Sequence, residues 1–348
     1  MNDLTMLNPK RILVCQLRQI GDVLLATPLI RLLNVRYPDA EIHVLTEMKC
    51  ISVLENNPRV SHVWPIDRKA LRNPFKALLY YRQVGRDGYD LIVDCQQLPR
   101  CKWVTMFSDA PVKLSFKPHW YDRFLYTHWP ESPKQGYAAM CKAHTLSVLG
   151  IEWDHKPLEL WLTDEERQWA TEYLNSIGIG DAPFVTVDPS HRRITRKWPT
   201  RHFAGLIRLI REQHPDMRFL PIYGPDEKSV ADEVAELAGD GVVVPDILLS
   251  LREMAALQER AALHLGNCSA PRHFAVAVGT PSLVVHGATG FGWRFPSDDH
   301  IAVRKDLECY SCNKNECDTR KCLEEFYPED CIQDALKLLE RSLKKKNS

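Results

Sequence analysis

The chain has 348 residues, of which 45% are hydrophobic and 26% charged, with 45 basic and 45 acidic side chains and a formal net charge of +0. Length and composition suit a globular protein of two ordinary domains and exclude wholesale disorder. Balanced charge offers no global field for nucleic acid, so no nucleic-acid partner is expected.

In the first half, short β-branched runs alternate with helical periods. Residues 11–17 read as a buried strand. Residues 23–36 read as a helix, with Leu24, Leu25, Pro28, Leu29, Leu32 and Leu33 forming an apolar stripe. Residues 41–45, 62–66, 91–95 and 112–116 read as further strands. Residues 151–162, with Pro157, lack a clear period and read as a linker. The second half repeats the rhythm: strands at 184–187, 219–223, 242–244, 263–265 and 282–286, and helices at 201–213, 227–238, 251–260 and 271–278. Thr163 with Glu166, and Ser250 with Glu253, are capping-box patterns that mark helix starts. A last helix begins near Pro328 and ends near Lys345. The Lys344–Lys346 run is expected to be a solvated, frayed end, with contact to anionic lipid as the alternative. Alternation of this kind predicts an α/β protein of two doubly wound, Rossmann-like lobes, with ligand in a cleft between them at the carboxyl ends of the strands.

The ten amino-terminal residues lack the apolar core of a signal peptide, and no apolar run approaches the roughly 20 residues of a membrane helix. The 11 Cys mostly stand singly in apolar segments, as Cys15 and Cys95 do. They fit buried thiols in a reducing cytoplasm.

Five segments carry candidate chemistry. In the first, after strand one, Gly21 permits a tight turn and Asp22 opens a helix, either as an N-cap or as a general base in a partly desolvated cleft. Arg18 beside it reads as a ligand for an anionic acceptor or as a surface cation. The second segment, 187–200, holds Ser190 and the basic side chains His191, Arg192, Arg193, Arg196 and Lys197. That loop suits a diphosphate, or is simply solvated. In the third, 223–228, Asp226 reads as an N-cap and Glu227 as an acceptor for ribose hydroxyls. The fourth, 265–275, brings Asn267, Cys268, Ser269, Arg272 and His273 to a helix N-terminus that attracts phosphate; His273 faces the ligand or the core. In the fifth, Cys309, Cys312, Cys317 and Cys322 have the spacing C-x2-C-x4-C-x4-C, read either as reduced thiols or as a structural zinc or iron–sulfur site.

The ordered set of motifs resembles glycosyltransferase family 9, the heptosyltransferases of lipopolysaccharide core assembly. The residues that carry it are Arg18, Gly21–Leu24, Thr27-Pro28, Lys197-Trp-Pro199, Gly224–Glu227, Leu251–Leu257 and the 266–273 segment. The resemblance implies a GT-B fold, with domains at 1–160, 161–327 and a helix at 328–348 that crosses back onto the first lobe. It also implies inverting, metal-independent transfer from ADP-heptose to a lipopolysaccharide core or related glycan. The implied catalytic base is Asp22, with Arg18 on the acceptor side. The implied donor set is Ser190, Arg196, Lys197, Glu227, Asn267, Cys268, Ser269, His273 and Thr289. No cofactor is implied for catalysis. The implied location is the cytoplasm, peripheral to the inner membrane where a glycolipid acceptor is presented. One departure is that the family's Asp is Cys268 here and its next Gly is Ala270, while Arg272 adds a charge at the same helix start. A thiol lacks a carboxylate's two acceptor oxygens, so a non-catalytic nucleotide-sugar binder or an epimerase of similar fold stays open.

Overall fold

Buried apolar runs set the strands of the first of two compact units, Met1–Trp161, the second being Leu162–Ser348. The computed structural model describes residues 4–131, 133 and 136–346; the outermost residues of the expected first and last domains lie outside these. In chain order the first unit contains β1 (Arg11–Cys15), α1 (Ile20–Leu24), α2 (Thr27–Arg36), β2 (Glu41–Glu47) and β3 (His62–Ile66). There follow α3 (Pro74–Gly85), β4 (Leu91–Asp94), α4 (Pro99–Phe107), β5 (Val112–Ser115) and α5 (Ala138–His144). The sheet order is β3-β2-β1-β4-β5, all parallel. Chain order reverses between β1 and β4, the switch point at which such sheets take ligands.

The second unit contains α6 (Asp164–Ser176), β6 (Phe184–Asp188), α7 (Thr200–Gln213), β7 (Arg218–Pro221), α8 (Lys228–Ala238) and α9 (Leu251–Arg260). Then come β8 (Leu263–Asn267), α10 (Ala270–Ala277), β9 (Ser282–Val285), β10 (His300–Val303), α11 (Lys321–Glu324) and α12 (Ile332–Lys346). Its parallel sheet is ordered β10-β9-β8-β6-β7, with the switch between β6 and β8. Both expected capping boxes form, at α6 and α9.

Several expectations are corrected. The helix expected at 23–36 is two helices. Pro28 has no N–H for an i−4 bond and sits in the first turn of α2, while the Thr27 hydroxyl donates to the Leu24 carbonyl at 2.8 Å. The strand expected at 242–244 is a single bridge from Val242 to Phe219, with Pro245 directly after it unable to extend a ladder. β10 was not foreseen, being a four-residue edge strand without alternation.

The last helix packs in the second unit. Ala335, Leu336, Leu338 and Leu339 of α12 join its hydrophobic core with Val185, Phe203 and Phe219. The basic end is not frayed: Lys345 Nζ donates to Asp299 Oδ2 at 2.9 Å, and Lys346 Nζ donates to the carbonyls of Arg260 and Ala261. Among the described residues, no helix is long and apolar enough to cross a membrane.

Candidate functional site

In the first unit the residues after β1 are held by those after β4. Asp94 is fully buried and accepts the Tyr126 hydroxyl at 2.6 Å and the backbone N–H groups of Gln96 and Gln97 at 2.9 and 2.8 Å. This turn aims the Gln96 side chain at the neighbouring loop, where its Oε1 accepts from the N–H groups of Leu17 and Arg18. The left-handed residue of that loop is Gln19, with φ 47°, and not Gly21, which lies inside α1. A non-glycine residue in this region stores strain and clusters at functional sites.

Asp22 follows in the first turn of α1 and does not cap it; Gln19 occupies the N-cap position, and no side chain caps the helix. The structural role weighed for Asp22 is therefore not the one it plays. Burial raises its pKa, opposed by the charges of Lys142 and Arg18. Lys142, on α5, is itself buried and donates to Gln16 Oε1 at 2.7 Å. Arg18 is exposed. The result is a half-buried carboxylate of raised basicity, flanked by two cations.

In the second unit, loops after β6, β8 and β9 meet at the switch point. Asn267 ends β8 fully buried. Its amide oxygen accepts the Trp198 N–H at 2.8 Å, and its Nδ2 donates to the carbonyls of Asp188 and Ser190 at 3.2 and 3.3 Å. Asn267 thus fixes both ends of the basic loop. The Ser269 hydroxyl at the start of α10 donates to Asp188. Burial pushes the Asp188 carboxyl up to about 7; that bond opposes the shift, and the Glu227 charge adds to it. Ser190 Oγ donates to Glu227 Oε2 at 2.5 Å, and the Gly224 N–H donates to the same oxygen at 3.1 Å. Asp226, expected as the N-cap of α8, sits just before it at φ 64°, and Glu227 takes the N-cap position.

Not every basic side chain of the loop is a cation. His191 is lowered to about 4, first by burial and then by Arg196, and its Nδ1 accepts the Arg193 N–H at 2.9 Å. Arg196 and Lys197 are partly exposed. The loop after β9 comes so close to the basic loop that a Cβ on Gly287 would meet the Thr195 carbonyl oxygen at 2.3 Å. Only glycine permits that approach.

Beside Cys268 lies the least expected feature. Arg272 is 1% exposed. Its Nη1 lies 2.8 Å from His286 Nε2 and donates to Cys268 Sγ at 3.5 Å, while Nε and Nη2 have no hydrogen-bond partner. His286 is pushed down to about 3 by burial, helped by Arg272, Arg304, Arg294 and Arg196. His273 is also buried with its pKa well lowered by burial, so it is neutral beside the Trp293 ring. Thr289 Oγ1, His273 Nδ1 and Arg196 Nε are buried without a partner as well. Unsatisfied buried polar atoms are costly, and among the described residues five of them belong to Arg196, Arg272, His273 and Thr289.

Sequence reasoning missed Gln96, Lys142 and Asp188. Asp188 stood in a quoted segment without a role. The other two reach their partners from 78 and 126 residues away, and no local spacing reports that.

Two parallel Rossmann-like units, one bearing a half-buried carboxylate after its first strand and the other cations and a helix N-terminus at its switch point, fit the nucleotide-sugar glycosyltransferase class. The sequence pattern of Glycosyltransferase family 9 (heptosyltransferase) matches residues 78–323. The chain belongs to that family and is a glycosyltransferase. It is 28% identical to lipopolysaccharide heptosyltransferase 3 of Escherichia coli over 299 residues, 81% of this chain and 85% of that protein. Among solved structures, the family 9 glycosyltransferase of Veillonella parvula superposes with a TM-score of 0.83 at 23% identity, covering 95% of this chain and 98% of that one. An E. coli heptosyltransferase solved with ADP-2-deoxy-2-fluoro heptose superposes with a TM-score of 0.72 at 18% identity, covering 94% and 99%. The binder and epimerase readings give way to transfer.

Proposed function

We propose that the chain transfers a heptose, or a closely related sugar, from ADP-heptose to a lipopolysaccharide-core glycan with inversion at the anomeric carbon. The observation that carries this reading is the half-buried, uncapped Asp22 with its raised pKa. Its carboxylate takes the proton of the attacking acceptor hydroxyl as the new glycosidic bond forms and the bond to the nucleotide diphosphate breaks. Arg18 steers an anionic acceptor. On the second unit Lys197, Arg196 and the N-terminus of α10 meet the charge that develops on the leaving diphosphate, work that Mg²⁺ does in other transferases. Glu227, oriented by Ser190, accepts from the ribose, and Thr289 and His273 line the donor. Beside Cys268, which stands in place of a carboxylate, Arg272 brings a donor of opposite charge, so the contact made there differs in sign.

An adenine nucleotide sugar is the donor expected from the heptosyltransferase relatives. Selective binding stabilises the native state, so ADP-heptose should raise the melting temperature more than UDP- or GDP-sugars do. A larger rise with a UDP-sugar would reassign the donor.

The acceptor is a glycolipid met at the cytoplasmic face of the inner membrane. Supporting this, Trp120, Tyr121 and Phe124 stand out from the first unit at 79%, 53% and 77% exposure, next to Arg123 and packed beside α4. Aromatic and basic side chains together suit a lipid–water interface. Vesicles containing phosphatidylglycerol should sediment the chain, and Trp120→Ser with Phe124→Ser should abolish this. Binding that survives the double change would remove this surface.

A further inference from the structure

Residues 304–320, between β10 and α11, form neither helix nor strand, and none of them is buried. Three non-glycine residues, Ser311, Asn313 and Arg320, are held at φ 64°, 52° and 43°. A loop of this length with no apolar anchor has little to offset the entropy of ordering it. Yet it carries Cys309, Cys312 and Cys317, with Cys322 just beyond. All four are free thiols, and all four line one cavity of about 390 Å³ together with Thr195 and Ala288. Small, coreless segments are commonly stapled by disulfides or metal, and free thiols at this spacing leave metal.

The same loop braces the donor site. The Asn313 N–H donates to the Ala288 carbonyl at 2.8 Å, and Ala288 N–H donates to the Thr195 carbonyl at 3.0 Å. Thr195 Oγ1 donates to the Lys314 carbonyl at 2.8 Å, and Arg196 Nη2 donates to Asn313 Oδ1 at 3.3 Å. The stretch between the second and third cysteines therefore holds both the basic loop and the loop after β9.

We propose that Cys309, Cys312, Cys317 and Cys322 bind one divalent metal ion, zinc or iron, as four thiolates, and that this ion fixes the loop that braces the donor site. Four sulfur ligands in a tetrahedron select these metals. Each thiol releases its proton to solvent as it ligates. Among the described residues, no group of three or more His, Cys, Asp or Glu side chains is placed so that it could hold a metal ion as it stands. Ligation therefore requires the thiols to move together, which a loop with no buried residue allows. The brace to the donor site rests on the reading given above; the metal site does not.

The test is elemental analysis of the full chain purified without oxygen from zinc- and iron-supplemented cells, followed by thiol titration before and after metal release by a mercurial. One zinc or iron per chain is expected, with four thiols unreactive until release. Cys309→Ser with Cys312→Ser should lose the metal, while Cys141→Ser, outside the loop, should keep it. Trace metal in both preparations, with all four thiols reacting at once, overturns the site whether or not the double variant folds. Metal release should weaken ADP binding about tenfold, within the usual range of coupling between sites. Equal ADP affinity before and after release overturns the brace and leaves the donor assignment untouched.

Discussion

Asp22→Asn is expected to lower turnover by about 10²–10⁴, the usual contribution of a positioned base, while ADP-heptose binding measured by calorimetry stays the same. The substitution keeps size and shape and removes the ability to take a proton. Because Asp22 caps no helix, folding should be preserved, so the loss reads as chemistry. Burial raises the Asp22 pKa, and only the ionised carboxylate accepts a proton. Wild-type rate should therefore rise as pH increases through that raised value and fall below it, and this limb should vanish in the variant. Full activity in Asp22→Asn would remove the residue from the mechanism.

Lys197→Ala should weaken ADP binding roughly 10- to 150-fold, the loss of a charge-assisted hydrogen bond of about 1.5–3 kcal/mol. Among the described residues Lys197 makes no ion pair, so its charge is not committed to holding the fold. Its neighbour Trp198 is, with its indole N–H donating to the Phe326 carbonyl at 2.9 Å inside the core. The variant should therefore melt near the wild-type temperature, and unchanged calorimetric affinity would take Lys197 out of the donor site.

Much of the fold was legible because parallel strands buried on both faces read as uninterrupted apolar runs. The run at His62–Ile66 and the helix at Leu251–Arg260 match residue for residue. Boundaries failed where one residue changes the backbone, as Pro28 does between α1 and α2. β10 failed because pairing to β9, and not its own pattern, makes it a strand. At the site, residue types and order were visible, but states were not. His191 counts as basic in sequence and is neutral once buried among arginines. Arg272 reads in sequence as an added charge at a helix start, and it lies in the interior with two nitrogens unpaired. Lys142 and Gln96 act across the chain, so only tertiary structure assigns them. The apolar stripe of the last helix could be read in sequence, but not the second unit's core that receives it.

The central claim is that Asp22 drives an inverting transfer from ADP-heptose. The most direct measurement is the anomeric configuration, by NMR, of the product formed from ADP-heptose and a heptose-bearing core acceptor. The account predicts a new glycosidic bond of configuration opposite to the donor's, with product lost in Asp22→Asn. A product that retains the donor's configuration, or one formed at the same rate without the carboxylate, would contradict it.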